Sequence, residues 1–347
     1  MSNALALVMI VRDEARCIQR CLASARAHVD EMVVLDTGSR DATPALAAAA
    51  GARVVQGSWR DDFAWARNQA LALTEAPWRL VLDADEWIDR GAESLAALRA
   101  RPADAIGLVR VVSAVDAAGG LQAAPSWLPR VLPRGVAYEG RIHEQPAGAL
   151  PRMRLALDIG HDGYLAAQQA AKQGRNEALL RRALHESGGD PYYHYQLGKD
   201  LEVRGRFAEA LPHYEEAHAR GATRAAWRHD LVLRLLFTLK KCARFERAAA
   251  LAEAEMPHWQ GSPDFFFTLG DLLLDRALAS PAQAGELLPL IESSWLRAVQ
   301  IGERPELPDS VAGRGSFLAA HNLAAFYQCL GRGAEAAGWR ERALKRD

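Results

Sequence analysis

The first half of the chain alternates short, unbroken apolar runs with stretches whose apolar residues recur every three or four positions. Leu5 to Val11 and Met32 to Leu35 are continuous runs of the kind a parallel strand needs when both its faces are covered, and Arg53-Val54-Val55 is a shorter one. Between them the spacing predicts helices through Ile18, Cys21 and Leu22 and through Leu46, the second capped by Ser39 or Asp41. A third helix is predicted through Leu71 and Leu73, with Asp61 as its cap. Strand, helix, strand, helix, strand at this spacing predicts a doubly wound, mostly parallel sheet. Further strands are expected at Leu80-Val81-Leu82, Ile106 to Val112 and Leu155 to Ile159, with a turn at Ala117 to Gly120. Trp127 to Arg134 reads as an irregular edge strand, because its prolines cannot donate to a ladder.

From about Ala166 the pattern changes to Ala, Leu, Arg and Glu with little strand character, which predicts helices. His194-Tyr195-Gln196-Leu197-Gly198, Leu201, Gly205-Arg206-Phe207, Ala210, Tyr214 and Ala217 follow the tetratricopeptide order of aromatic, Leu-Gly, Ala, aromatic and Ala positions. Related landmarks return at Phe245 with Ala248, at Leu269-Gly270 with Trp295 and Ala298, and at Leu323 with Gly331, Ala336 and Ala343. Four repeat-like units follow, with an insertion expected around Ser280 to Gly285. Each helical hairpin leaves an apolar face that only its neighbour covers, so a stacked solenoid with a concave surface is expected. The division is therefore residues 1–165, an α/β domain, and residues 166–347, an all-α repeat domain.

Composition narrows the function classes. With 42 Lys+Arg against 43 Asp+Glu the net charge is -1, and there is no polybasic arm or acidic tail to suit nucleic acid. The apolar run from Ala4 to Val11 is too short to span a bilayer and has no basic region before it, so a cytoplasmic protein is expected, with peripheral contact at the inner membrane face as an option. Cys17, Cys21, Cys242 and Cys329 form no Cys-x-x-Cys pair and read as packed, reduced thiols.

The candidate chemistry centres on Leu80-Val81-Leu82-Asp83-Ala84-Asp85-Glu86, an apolar strand running into three carboxylates. Consecutive strand side chains alternate faces, so Asp83 and Asp85 are expected to point the same way at the strand's end. Ligands of open α/β sheets bind at that end, and paired hard oxygen donors suit Mg²⁺ or Mn²⁺ holding a diphosphate. Asp36 ends the second strand at the same sheet edge. Arg67 precedes the acidic strand and offers charge-assisted hydrogen bonds to a diphosphate; Tyr138 to Glu144 brings a histidine and a carboxylate together, and Gly160 to Tyr164 places a histidine between glycines after a strand.

Val11-Arg12-Asp13-Glu14, Leu35 to Thr43, Phe63 with Ala66-Arg67-Asn68, Trp78 to Glu86 and Ile142-His143-Glu144 together resemble family 2 glycosyltransferases of the A-type fold. The resemblance covers residues 4 to 165, within the branch that includes lipopolysaccharide-core glucosyltransferases and peptide S-glycosyltransferases. Asp13 stands where that branch usually has Asn, and the Glu-Asp base motif of the wider family appears as His143-Glu144.

The resemblance implies nucleobase recognition by Asp36, nucleotide or diphosphate binding by Arg67, and a role for Asp83 at the ribose or the metal. It implies Asp85 as a direct metal ligand, His161 as the histidine completing the metal or diphosphate site, and Glu144 as the general base. His143 is the alternative ligand, or orients Glu144. The expected activity is inverting, Mn²⁺- or Mg²⁺-dependent transfer from a UDP-sugar to a glycan, lipid-linked glycan or peptide, with the repeats binding acceptor, a protein partner or a second copy. A nucleotidyltransferase would need a glycine-rich basic loop after the first strand, which Arg12-Asp13-Glu14-Ala15 is not. The alternative from another class is a repeat scaffold whose sugar-binding domain is inactive.

Overall fold

The computed structural model describes residues 4–117, 120–163, 174–307 and 310–344, with backbone alone at 114–117 and 120–125. It divides into two compact units, Met1–Ala183 and Leu184–Asp347.

In the first unit, β1 (Leu5–Val11), α1 (Ile18–Ala25), β2 (Glu31–Asp36), α2 (Thr43–Ala49), β3 (Arg53–Gln56), α3 (Phe63–Leu71) and β4 (Trp78–Val81) follow the predicted order. After them come β5 (Glu86–Arg90), α4 (Ser94–Leu98), β6 (Ile106–Ala117), β7 (Gly120–Pro133), β8 (Tyr138–Glu139), β9 (Gln145–Pro146) and β10 (Arg152–His161). The main sheet has the order β3-β2-β1-β4-β7-β6-β10-β5, and β8 pairs with β9 in a second, two-stranded sheet. β3, β2, β1 and β4 are parallel; β7 runs against both β4 and β6; β10 is parallel to β6 and antiparallel to β5.

Alternation along β1 explains why both faces need cover. Leu5, Leu7, Met9 and Val11 pack with Ile18, Cys21, Leu22, Leu95 and Leu98, while Ala6 and Val8 pack with Ala64, Ala70 and Leu71. Trp78, Leu80 and Leu82 join the first layer and Val81 the second. The sheet is thus a filled middle layer, and its C-terminal edge is left to loops.

Two local expectations are corrected. The cap of α3 is Asp62, whose Oδ1 accepts from the Trp65 amide at 2.8 Å; Asp61, at φ +54°, accepts instead from the Trp59 indole N–H. β7 is an interior strand. Its register skips one residue, Gly107 facing Val131 and Leu108 facing Pro129, so Arg130 is the extra residue of a bulge that lets a proline-bearing strand sit between two partners. Ala118 and Gly119 of the expected turn lie outside the described residues, as do Tyr164 and the start of the helical texture at Ala166. α5 (Arg175–Glu186) straddles the division between the units, which falls at 183 rather than the expected 165.

The second unit is built from helical hairpins: α6 (Pro191–Val203) with α7 (Phe207–Arg220), α8 (Arg228–Lys241) with α9 (Phe245–Glu255), α10 (Pro263–Ala279) with α11 (Ala284–Ile301), and α12 (Phe317–Cys329) with α13 (Gly333–Leu344). The glycines of the two Leu-Gly pairs are spaces for aromatic rings. A Cβ on Gly198 would lie 2.6 Å from the Tyr214 ring, and one on Gly270 2.4 Å from Trp295 Nε1. Asp190 caps α6 and Ser262 caps α10. The expected insertion at 280–285 is only a short 3-10 turn, Pro281–Gln283; the extra length lies in the 17- and 18-residue helices of the third hairpin and in residues 302–316.

Candidate active site

β2, β4 and β10 all end at one edge of the sheet, and β5 begins there. β2 closes in Asp36, which is buried and takes both oxygens into the following turn: Oδ2 accepts from the Gly38 and Ser39 amides at 3.3 and 3.1 Å, and Oδ1 from the Ser39 hydroxyl. That turn is laced to the end of β1, because Ser39 Oγ accepts from the Asp13 amide at 2.9 Å and Asp13 Oδ1 from the Arg40 amide at 2.7 Å.

β4 stops at Val81, so Asp83 and Asp85 stand in a turn, where strand alternation no longer applies. Their partners differ. Asp83 lies between two guanidiniums, with Oδ1 2.7 Å from Arg67 Nη2 and Oδ2 2.8 Å from Arg130 Nη2. Arg67 reaches on to Glu144, Nε to Oε1 at 2.5 Å, and Arg130 to Glu86, Nη2 to Oε1 at 2.6 Å. The result is a chain, Glu144–Arg67–Asp83–Arg130–Glu86. Arg67 and Glu86 are fully buried, and Glu144 and Arg130 nearly so; Asp83, at 34% exposure, is the opening.

Neighbours of Arg67 hold the far end of this chain. Asn68 exchanges two hydrogen bonds with the Tyr138 backbone, at 2.9 and 2.7 Å, and the Phe63 amide donates to Arg141 O at 2.8 Å. The loop bearing Glu144 is thereby fastened to α3. The Ala66-Arg67-Asn68 string thus has two functions, one residue gathering carboxylates and the next holding backbone.

The electrostatics follow from burial set against pairing. For Asp83, burial opposes ionisation but Arg67 and Arg130 outweigh it, so the carboxyl stays well below its ordinary range. Glu86 is pushed up by burial, with Asp83 adding to the rise and Arg130 opposing it. Burial also works against the Arg67 charge, which Asp83 and Glu144 nonetheless hold firmly. Some hydrogen-bonding capacity is left over: Arg67 Nη1, Arg130 Nε and the Tyr138 hydroxyl are buried without a partner, and burial raises the Tyr138 phenol to about 12. Such orphans are costly unless a ligand satisfies them.

Asp85 turns to the other side of the site. Its Oδ2 lies 3.6 Å from His161 Nε2, and the opposite ring nitrogen, Nδ1, is 2.9 Å from Ser113 Oγ. His161 ends β10 abreast of Ser113 in β6 and Glu86 in β5. The exposed His143 sits in its loop at φ +53°, so of the two candidate histidines it is His161 that stands beside Asp85. Among the described residues no three metal-type donors come together. A carboxylate with an imidazole does fit Mg²⁺ or Mn²⁺ when a diphosphate and water supply the other ligands.

Residues 6–134 match the family described as Glycosyl transferase family 2. The first unit carries a family 2 glycosyl transferase domain. Arg67, Asp83, Asp85 and Arg130 fall inside the matched stretch, while Glu144 and His161 lie beyond it. The SPbeta prophage-derived glycosyltransferase SunS of Bacillus subtilis is 25% identical over 219 residues, covering 60% of this chain and 52% of that one. A TPR repeat-containing protein of Synechococcus elongatus is 61% identical over 80 residues, 23% of this chain and 20% of its own. Glucosyl-3-phosphoglycerate synthase from Mycobacterium tuberculosis, a solved structure, is 25% identical over 32% of this chain and 44% of that one, with a TM-score of 0.27. The chain thus spans between 20% and 52% of the curated relatives' lengths. In this chain, tetratricopeptide-like repeats follow the glycosyl transferase domain.

Arg130 escaped the sequence reading because its string looked like a ragged edge; an arginine between two prolines, next in space to an acidic strand, was the available signal. Arg16, Arg20 and Ser113 were likewise passed over.

Proposed function

We propose that the first unit transfers a sugar from a nucleotide diphosphate donor, a UDP-sugar, to a glycan, lipid-linked glycan or peptide acceptor, with inversion at the anomeric carbon. The observation that carries this reading is the placing of Asp85 with His161 beside the Glu144–Arg67–Asp83 chain at one sheet edge. Asp85 and His161 would hold Mn²⁺ or Mg²⁺, which neutralises the leaving diphosphate when bound. Arg67 adds a second cation, and its unpartnered Nη1 is a donor for diphosphate oxygen. Asp83, the most accessible carboxylate of the chain, faces the ribose. Asp36 shapes the nucleobase end by fixing the turn after β2. Glu144 spends Oε1 on Arg67 and keeps Oε2 for the acceptor proton as the acceptor attacks opposite the diphosphate.

The test is calorimetric binding of UDP with and without Mn²⁺, on the wild type and on Asp85→Ala. Metal-dependent binding that disappears in the variant is expected, together with slow hydrolysis of a UDP-sugar by the wild type. Unchanged metal-dependent binding in Asp85→Ala would remove that residue from the ion site, and a wild type that neither binds nor hydrolyses any nucleotide sugar would favour an inactive repeat scaffold.

A further inference from the structure

His161 is held from both sides. Ser113 engages its Nδ1 and leaves Nε2 toward Asp85, which fixes the ring but not the strand end that carries it. The strand end is held by the next residue. Asp162 accepts from Arg16 through both oxygens, each at 3.0 Å, and from Arg20 at 2.6 Å, while its amide donates to Asp85 O at 3.3 Å. Arg16 lies just ahead of α1 and Arg20 in its first turn, so the end of β10 is tied to that helix.

Two further contacts make this a close fit. The Arg20 guanidinium lies 3.8 Å from the centroid of the Trp87 ring, and that indole also packs against Gly160, where a Cβ would come within 2.3 Å of ring carbons. Exposed ion pairs commonly hold little in place. Here the carboxylate is 14% exposed, one partner binds it bidentately and the other is stacked in place, which is the geometry in which such a pair fixes position.

We propose that Asp162, clamped by Arg16 and Arg20, is a positioning residue that sets His161 beside Asp85 and thereby the affinity of that pair for a divalent ion. The proposal rests on the reading of Asp85 and His161 as ion ligands. Groups that orient metal ligands typically change metal affinity about 10–100-fold when removed.

The experiment is a Mn²⁺ titration at saturating UDP, followed by calorimetry, on the wild type, Asp162→Asn, Asp162→Glu and the double variant Arg16→Gln with Arg20→Gln, with thermal unfolding of each measured alongside. Asp162→Asn and the double variant should weaken Mn²⁺ binding about tenfold or more, and Asp162→Glu should recover much of the loss. Binding of UDP without metal should stay at its wild-type level throughout. A variant that melts earlier yet binds Mn²⁺ as the wild type does would show a merely structural clamp and overturn the proposal. If Asp162→Asn does not fold, the double variant decides, since it alters side chains that are 43% and 45% exposed. Absence of metal-dependent UDP binding in the wild type itself would overturn the ion-site reading and the clamp with it, an outcome distinct from wild-type-like variants.

Discussion

Buried charge is gathered in one unit and dispersed in the other. In the glycosyl transferase domain Arg67, Asp83, Glu86, Arg130 and Glu144 arrive from α3, two turns, β5 and β7 and meet in a single chain. Three carboxylates against two guanidiniums leave an acidic surplus, which Asp85 increases. In the repeats the buried and half-buried charges form separate knots, between helices or between a helix and the segment ahead of the next. Arg228 donates to Glu255 at 2.6 Å, Arg234 bridges Asp230 and Glu202 at 2.6 and 3.0 Å, and Arg314 meets Asp264 at 3.1 Å. Paired charges that join one helix to the next serve packing. A surplus collected at a sheet edge, with unpartnered donors around it, is suited to a charged ligand.

Breaking the gathered set should have the largest effect. Arg130→Met leaves Glu86 and Asp83 without their shared cation, and an uncompensated buried charge costs about 3–5 kcal/mol; a much lower first unfolding transition by calorimetry is the expected outcome. Glu144→Gln should keep metal-dependent UDP binding while transfer falls by about 10²-fold or more, read from single-turnover rates. Near-normal transfer would move the base elsewhere, with Glu86 the next carboxylate to test. In the helical unit the packing itself is the target. Gly198→Ala pushes a methyl into the Tyr214 ring and should cost about 1–3 kcal/mol of that unit's stability, with UDP binding unchanged.

The smallest effect sharpens the contrast through pH. Burial opposes ionisation of Glu255, but hydrogen bonds from His218, Trp259 and Arg228 prevail and hold it at about 2. A depressed carboxylate stabilises the fold above its unfolded value of 4.5 and loses that contribution as pH falls toward 2. Glu255→Gln should therefore flatten the loss of melting temperature between pH 5 and pH 2 by about 2–4 °C for each kcal/mol removed. An unchanged acid limb in the variant would show that Glu255 does not govern it.

Much of this architecture was legible in advance where local pattern and tertiary role agree. The apolar run of β1 is buried on both faces as its composition requires, and the Leu-Gly and aromatic landmarks marked the tight contacts of Gly198 with Tyr214 and Gly270 with Trp295. The Asp83-Ala84-Asp85 string announced an acidic edge. It did not announce that the strand would end at Val81, before the motif, and send the two carboxylates to different partners, because that depends on Arg67, Arg130 and His161 arriving from distant segments. Arg130 was hidden for a related reason: a bulge is a property of two paired strands, and the proline that suggests an edge is compatible with an interior position only when the register slips. The cap of α3 was misread by one residue because Asp61 and Asp62 are chemically equivalent, and only the left-handed backbone at Asp61 separates them.

The strand that carries His161 is last along the chain of this unit yet lies inside the sheet, between β6 and β5. A gene fragment trimmed to the matched residues 6–134 would therefore encode more than a missing tail. It would retain Asp83, Asp85 and Arg130 but expose the long flank of β6, strip β5 of its strand partner β10 and delete Glu144, His161 and Asp162 together. For anyone grafting this domain onto another protein, the shortest transplantable piece runs past Asp162, and a shorter one should be recovered mainly in aggregates, through its newly unpaired strand.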